Sequence, residues 1–97
     1  MPRFCANLSF LFTEVPFLDR FEAAAKAGFR GVEVAFPYDT PAAETAARLR
    51  HNGLELVQIL TPLDWAAGER GIAVLPDRVD DFRKSVRTAI DYAVATG

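Results

Sequence analysis

The fold of this chain is indicated by residues 28–36, which read GFRGVEVAF. Val32, Val34 and Phe36 are apolar and alternate with other residue types, a period of two that is typical of a β-strand with two different faces. The stretch opens on a glycine, the residue type that often ends a preceding helix, and Pro37 follows it directly. We therefore predict a strand here, with its apolar face packed against helices.

Outward from this strand, short apolar runs alternate with segments of helical periodicity. Further strands are predicted over residues 4–8 and 54–60. Helix starts are predicted at Pro16, Thr40 and Asp77, because proline suits a first turn and short polar side chains cap it. The predicted apolar faces are Leu18, Phe21 and Ala25; Ala42, Ala46 and Leu49; and Val79, Phe82, Val86, Ala89, Ile90 and Ala93, with the first two helices ending at Gly28 and Gly53. The order βαβαβα predicts an α/β fold with a parallel sheet and right-handed crossovers.

The length of the chain limits what this sheet can be. The 97 residues fall well short of the about 250 that a complete (β/α)8 barrel needs. Three parallel strands covered by helices on one face would leave the other face and both edges bare. We therefore expect residues 1–97 to be the amino-terminal fragment of a single TIM-barrel domain, its first three βα units. Alternatively, the chain forms a homo-oligomer through the open sheet.

Composition and charge argue against several classes of function. The formal net charge is −2, with 11 basic and 13 acidic residues, whereas nucleic-acid binders usually carry a basic patch. No stretch approaches the ~20 apolar residues that a membrane helix needs, and no apolar signal segment is visible at the start. Cys5 is the only cysteine, so an internal disulfide is impossible and a reducing compartment fits. We expect a cytoplasmic, soluble protein that binds neither nucleic acid nor membranes.

Residues 64–71, which read DWAAGERG, are the most informative candidate for a site. They fall in a long connection after the third predicted strand, and the active sites of α/β barrels form at the carboxyl ends of the strands. Arg70 could bind a carboxylate through two parallel hydrogen bonds, and Trp65 could wall a pocket and exclude water. The alternative is a surface ion pair between Glu69 and Arg70 beside a packed tryptophan.

Two further candidates stand on the first two strands. Glu33 lies on the face opposite Val32 and Val34, so it is predicted to point into the barrel, where a charge is costly unless paired. It would either support the site or pair with a basic residue of a later strand. Asn7 ends the first strand and could hydrogen-bond a substrate hydroxyl, or serve as a turn residue. No set of His, Cys and carboxylate residues has the spacing of a metal site.

Several stretches of the sequence resemble one family of enzymes. They are RF at 3–4, ANLS at 6–9, LFTE at 11–14, GFRGVE at 28–33, FPYD at 36–39 and DWAAGERGIA at 64–73. In them the chain resembles the hydroxypyruvate isomerase family of the xylose isomerase-like TIM barrel superfamily, and the last stretch is the most specific. The resemblance covers essentially the whole chain, although members of the family are considerably longer.

The resemblance implies a sugar-acid isomerase that moves a proton between adjacent carbons and converts hydroxypyruvate to tartronate semialdehyde. It also implies a divalent metal, Mg or Mn, and a pair of glutamates, all held by later strands. No catalytic residue or metal ligand would then lie in this chain, and the chain alone would be inactive. Residues 1–97 would supply contacts to a small sugar-acid substrate, with Arg70 facing the substrate carboxylate. The substrate-binding candidates are Asn7, Glu33, Trp65, Glu69 and Arg70.

Other interpretations stay open. The chain could be a truncated, non-catalytic module that self-associates, or another isomerase or epimerase of the superfamily, such as a 2-oxo-tetronate isomerase. An endonuclease-like barrel is disfavoured by the acidic balance and by residues 64–71. Two departures from the family pattern bear on substrate choice. Leu60 stands where the family usually has Asn, and the loop before Trp65 lacks a glycine ahead of Asp64.

Overall fold

Three parallel strands form one sheet and lie in it in their order along the chain. They are β1 (Cys5–Asn7), β2 (Gly31–Val34) and β3 (Glu55–Ile59). This computed structural model describes residues 2–97, and both strand pairings in it are parallel. The predicted α/β fold with a parallel sheet is therefore confirmed, although each strand is shorter than its apolar run.

The register places three polar side chains in a row across the sheet. Asn7 is opposite Glu33, and Glu33 is opposite Gln58. The row forms because β3 carries one extra residue, Val57, between the partners of Val32 and Glu33. In a regular register the residue after Leu56, which is Val57, would stand opposite Glu33, and an apolar side chain would interrupt the row. We call the side of the sheet that bears Asn7, Glu33 and Gln58 the open face.

Helices cover the other side of the sheet. They are α1 (Phe17–Lys26), α2 (Ala42–Asn52) and α3 (Val79–Thr96), with a short 3-10 turn at Pro76–Arg78 ahead of α3. Val32 and Val34 of β2 are buried in one core with Phe21 of α1 and Leu49 of α2. Full burial of such a side chain contributes about 1.5–3 kcal/mol relative to exposure, so this layer is what holds the helices to the sheet. Within residues 2–97, no helix has both the length and the apolar character required to span a bilayer.

The buried side of α1 differs slightly from the prediction. Phe21 and Ala24 are fully buried, whereas Ala25 is only half-buried. Phe17 packs edge-on against Phe21, with the ring centroids 5.2 Å apart. Phe17, Phe21 and Ala24 therefore share the side of α1 that packs into the core.

The buried side of α3 differs more from its predicted apolar face. Tyr92 and Ser85 are buried, whereas Val79 and Ile90 are 46% and 55% exposed and Ala93 is also exposed. The reason is that the Tyr92 hydroxyl is hydrogen-bonded on the α2 side, which turns this stripe of the helix inward. The predicted inward position of Val79, Ile90 and Ala93 is wrong.

The ends of α1 and α2 are as predicted, but the side-chain caps predicted at Thr40 and Asp77 are wrong. Gly28 and Gly53 follow these helices with φ angles of 99° and 63°, which L-residues with a Cβ rarely adopt. Thr40 makes no side-chain cap at the start of α2, and its carbonyl oxygen accepts a hydrogen bond from Tyr92 instead. Asp77 does not cap α3, because the chain already turns at the preceding proline and leaves Asp77 inside the 3-10 turn.

Candidate functional site

A cavity of about 490 Å³ opens where the three strands end. Its walls come from the last residues of the strands, from the segments that follow them, and from the long loop after β3. They are Asn7, Ser9, Phe10, Glu33, Val34, Ala35, Phe36, Gln58, Leu60 and Trp65. A larger hollow of about 1060 Å³ lies at the opposite ends of the strands, and its walls include none of the predicted site residues. Because ligands of α/β barrels bind at the carboxyl ends of the strands, the smaller cavity is the candidate site.

Asn7 and Ser9 form the rim of the cavity at the end of β1. The Asn7 Oδ1 accepts a hydrogen bond from the Ser9 amide at 2.9 Å, and the Ser9 hydroxyl oxygen accepts one from the Ala35 amide at 2.9 Å. Arg20 of α1 donates to the Leu8 carbonyl oxygen at 2.8 Å and so fixes the same segment from the helix side. Asn7 therefore serves the turn and also lines the cavity, with its Nδ2 group not used in that bond.

Glu33 brings a carboxylate to the middle of the open face. It is half-buried and flanked by Asn7 and Gln58 on the neighbouring strands. Within residues 2–97, Glu33 takes part in no ion pair. Burial and the negative charge of Glu33 raise the pKa of the Cys5 thiol. The side chain lines the cavity, as the alternation in β2 predicted, and its oxygens can accept hydrogen bonds from a hydroxylated ligand.

The loop that carries Trp65 is organised around Glu69. The Glu69 carboxylate accepts hydrogen bonds from the Asp64 amide at 2.8 Å and from the Arg78 guanidinium at 2.9 Å. These two contacts lower the pKa of Glu69 below its usual range. The alternative interpretation, an ion pair between Glu69 and Arg70, is wrong. Glu69 forms its ion pair with Arg78. In the part of the chain that the structure describes, neither Glu69 nor Arg70 belongs to the cavity wall.

Arg70 stacks on Trp65. Its guanidinium lies 3.6 Å from the centre of the indole ring, close enough for a cation–π interaction. The Arg70 Nη1 group donates to the carbonyl oxygens of Trp65 and Glu69, at 3.2 Å and 2.8 Å. Both bonds use Nη1, which leaves Nε and Nη2 of Arg70 for a ligand.

Phe36 departs from its prediction and joins the cavity. It was expected to continue the apolar face of Val32 and Val34, but β2 ends at Val34. The Phe36 ring instead lies 6.1 Å from the Trp65 ring, and the two aromatic side chains form one wall of the cavity. The alternation of apolar residues continues past the end of β2 at Val34. It therefore could not predict that the Phe36 side chain lines the cavity.

Gln58 and Leu60 are cavity residues that the sequence reasoning did not assign to substrate. Gln58 is a polar residue within the apolar run at 54–60, and the structure places it opposite Glu33 on the open face. The Tyr38 hydroxyl donates a hydrogen bond to the Leu60 carbonyl oxygen, which ties the end of β3 to the segment after β2. Tyr38 also packs edge-on against Tyr92 of α3, with ring centroids 5.4 Å apart.

The donor groups of the cavity do not amount to a metal site. Glu33 is the one carboxylate among the walls formed by residues 2–97, and its polar neighbours are two amides and a hydroxyl. Across the same residues, no three His, Cys, Asp or Glu side chains are grouped so that they could hold a metal ion. These residues therefore offer hydrogen bonds to a ligand and do not supply the ligand set of a divalent cation.

Comparison with known proteins gives a consistent result. A family profile described as a xylose isomerase-like TIM barrel matches residues 21–97. The 2-oxo-tetronate isomerase of Pectobacterium atrosepticum is 56% identical over 96 residues, which are 98% of this chain and 37% of that protein. The hydroxypyruvate isomerase of Escherichia coli is 55% identical over 98 residues, covering 100% of this chain and 38% of that protein. The predicted resemblance to hydroxypyruvate isomerases is confirmed.

A solved structure agrees with the fold. The crystal structure described as AP endonuclease, family 2 from Brucella melitensis superposes with a TM-score of 0.96 at 52% sequence identity. The match covers 99% of this chain and 38% of that one. The chain thus spans a little over a third of the length of the relatives that it matches, and over that third the backbones are nearly the same.

Proposed function

The chain belongs to the xylose isomerase-like TIM barrel family, and we propose that a protein carrying it as its amino-terminal part is a sugar-acid isomerase converting hydroxypyruvate to tartronate semialdehyde. One observation carries this proposal. Asn7, Glu33 and Gln58 stand side by side at the carboxyl ends of three parallel strands, in a cavity that Trp65 and Phe36 close on one side. Amide and carboxylate groups in such a row suit a small ligand rich in hydroxyl and carbonyl oxygens.

The proposed reaction exchanges the positions of a hydroxyl and a carbonyl. A C–H bond breaks at the hydroxymethyl carbon of hydroxypyruvate, and a new C–H bond forms at the neighbouring carbonyl carbon, with no net change of oxidation state. The residues of this chain would bind and orient the substrate for that proton transfer. Asn7 and Glu33 would hold the single hydroxyl group of hydroxypyruvate, and the Trp65 wall would exclude water.

Arg70 is the proposed partner of the substrate carboxylate, since two of its nitrogen groups stay available beside the cavity wall. Glu69, which lies on the same loop, would take part in substrate binding together with Arg70. The divalent metal, Mg or Mn, and the acid–base glutamates are proposed to lie outside residues 1–97. A metal there would polarise the two substrate oxygens. We also propose a cytoplasmic location, a small-molecule substrate, and no nucleic-acid or membrane partner.

The test is an isomerisation assay of the full-length protein that contains this chain, with hydroxypyruvate in deuterated water. Turnover with deuterium incorporation at the carbon that receives the proton is the expected result. Replacement of Glu33 by Gln should raise KM, because the row then loses its charge while the shape is kept. The 97-residue chain with added Mg²⁺ or Mn²⁺ should show no turnover above a metal-free blank. If the full-length protein turns over no sugar acid at all, the proposal is wrong.

A 2-oxo-tetronate isomerase is the second candidate. Relatives with that name, from three bacterial species, are 51–56% identical to this chain. The same assay with a 2-oxo-tetronate, which is one carbon longer than hydroxypyruvate, separates the two by the ratio of kcat/KM values. Incision of abasic-site DNA by the full-length protein would instead favour the activity named for the Brucella structure.

A non-catalytic, self-associating module is the remaining alternative. Val57 of β3 is 56% exposed, and both sheet edges in the described residues lack a further strand. Sedimentation of the 97-residue chain decides this point. A stable monomer across the micromolar range would count against self-association.

A further inference from the structure

We propose that Arg78 is a positioning residue of the cavity, which acts through Glu69 to hold Trp65 in the cavity wall. The effect of Arg78 on substrate binding rests on the proposed function. The effect of Arg78 on the position of Trp65 rests on the contacts of the loop alone.

Glu69 closes the loop that carries Trp65. Its carboxylate accepts from the Asp64 amide at 2.8 Å, and its own amide donates to the Asp64 carbonyl oxygen at 3.1 Å. Asp64 in turn accepts a hydrogen bond from the Ala67 amide at 3.0 Å. Residues 64–69 therefore form one closed turn, and Trp65 directly follows Asp64, one of the two residues that close it.

Arg78 joins this turn to a fixed part of the fold. Its Nη1 group lies 2.9 Å from the second carboxylate oxygen of Glu69, and its Nε group lies 2.6 Å from Asp81 at the start of α3. The Glu69 and Arg78 side chains are only 22% and 35% exposed. Arg78 therefore connects the loop to a helix that packs against α2 and is hydrogen-bonded to it through Tyr92.

Trp65 depends on this connection because burial alone does not hold it. Its side chain is 55% exposed, although it lines the cavity. Its neighbours are Phe36, with the ring centroids 6.1 Å apart, and Arg70, which lies on the same loop and moves with it. Among these contacts, only the one with Phe36 reaches outside the loop. The ion pair of Glu69 with Arg78 is thus a second tether that keeps the indole over the cavity.

The charges around Glu69 support a lasting tether near neutral pH. The Asp64 amide and the Arg78 guanidinium lower the pKa of Glu69, against the smaller opposing effects of burial and of the Asp81 carboxylate. The contacts with Asp81 and Glu69 raise the pKa of Arg78. Both groups therefore keep their charges over the pH range in which an enzyme would be assayed.

The experiment measures how easily acrylamide quenches the fluorescence of Trp65, the only tryptophan of the sequence. The variants are Arg78→Gln and Glu69→Gln, and the matched control is Arg87→Gln, which changes an exposed arginine farther along α3. Glutamine at 69 can still accept from the Asp64 amide, so it removes the ion pair and keeps the turn. For a longer protein with other tryptophans, Trp65→Phe gives the background to subtract.

Trp65 is already 55% exposed, so complete exposure would raise its quenching constant by about 1.8-fold. Both variants should raise the constant, and by no more than this factor. The double variant should match either single one, and Arg78→Lys should restore part of the wild-type value. Arg87→Gln should leave the value unchanged. Far-UV circular dichroism establishes that each variant is folded. If folded Arg78→Gln and Glu69→Gln quench like the control, the inference is overturned.

The consequence for substrate is tested in the full-length protein. Arg78→Gln should raise KM by about two- to fivefold, the effect of losing a weak ion pair, and leave kcat nearly unchanged. A change in quenching without any change in KM would overturn the link to the cavity. A change in quenching in a protein that turns over no sugar acid would refute the proposed function and leave the positioning of Trp65 supported.

Discussion

Replacement of Tyr92 by Phe should destabilise the fold by removing two hydrogen bonds, one that joins α3 to Thr45 of α2 and one that joins it to Thr40 just ahead of α2. The Tyr92 hydroxyl donates to the Thr40 carbonyl oxygen at 3.0 Å. Since its proton is used there, the Thr45 hydroxyl must donate to the Tyr92 oxygen, at 2.7 Å. Thr45 is fully buried and Tyr92 is 8% exposed, so water cannot readily replace either partner.

The expected loss follows from these contacts. Tyr92→Phe leaves the buried Thr45 hydroxyl without its acceptor and the Thr40 carbonyl without its donor, which costs about 2–3 kcal/mol. Thr45→Val alone removes one hydrogen bond while Tyr92 keeps the other, and costs about 1 kcal/mol. In the Tyr92→Phe background, Thr45→Val removes a group that is already unsatisfied. There it should be neutral or should stabilise the protein by about 1 kcal/mol.

The assay is urea unfolding at 25 °C followed by circular dichroism. The free energies of unfolding of the wild type, both single variants and the double variant are compared, on the condition that all four have the same m value. The sign of the Thr45→Val effect is the decisive quantity, because it should reverse between the two backgrounds. Equal destabilisation by Thr45→Val in both backgrounds would refute the reasoning, since the two hydroxyl groups would then be energetically independent.

Three further predictions concern stability and use the same unfolding measurement. Gly53→Ala should cost about 1 kcal/mol, because φ is 63° and only the backbone conformation, with no steric neighbour within 4 Å, opposes the Cβ. Gly53→Asn should cost less. Phe21→Ala should cost about 3–5 kcal/mol because the ring is fully buried, while Val94→Ala on the exposed side of α3 should stay within about 0.5 kcal/mol. Burial raises the pKa of Tyr92, so the folded state favours the neutral phenol. That stabilisation is complete below about pH 10 and is lost as the pH rises through the raised pKa. Stability should therefore fall above pH 10 by more in the wild type than in Tyr92→Phe, and equal losses would contradict the assignment.

Local patterns in the sequence were enough for the order of elements and for part of the site. The alternation around Glu33 depends only on neighbouring residues, since a strand turns successive side chains to opposite faces. It correctly set Val32 and Val34 against the helices and Glu33 toward the cavity. Asn7 and Trp65 could be named as candidates because Asn7 ends the first strand and Trp65 lies in the loop after the third, and barrel sites form at the carboxyl ends of strands.

The rest depended on contacts between residues that are not neighbours in the chain. The partner of Glu69 is Arg78 and not the adjacent Arg70, a choice made by where the 3-10 turn brings the guanidinium. The inward stripe of α3 is set by the Tyr92 hydroxyl, which donates to the Thr40 carbonyl oxygen ahead of α2 and accepts from Thr45 of α2, and no helical periodicity can indicate these partners.

Short-range spacing by itself determined that this chain is an α/β unit of three parallel strands with polar groups at their carboxyl ends. The tertiary structure alone decided which of those groups meet. The single extra residue in β3 moves Gln58, and not Val57, beside Glu33. Strand register is a relation between two segments, so neither segment's own sequence contains it.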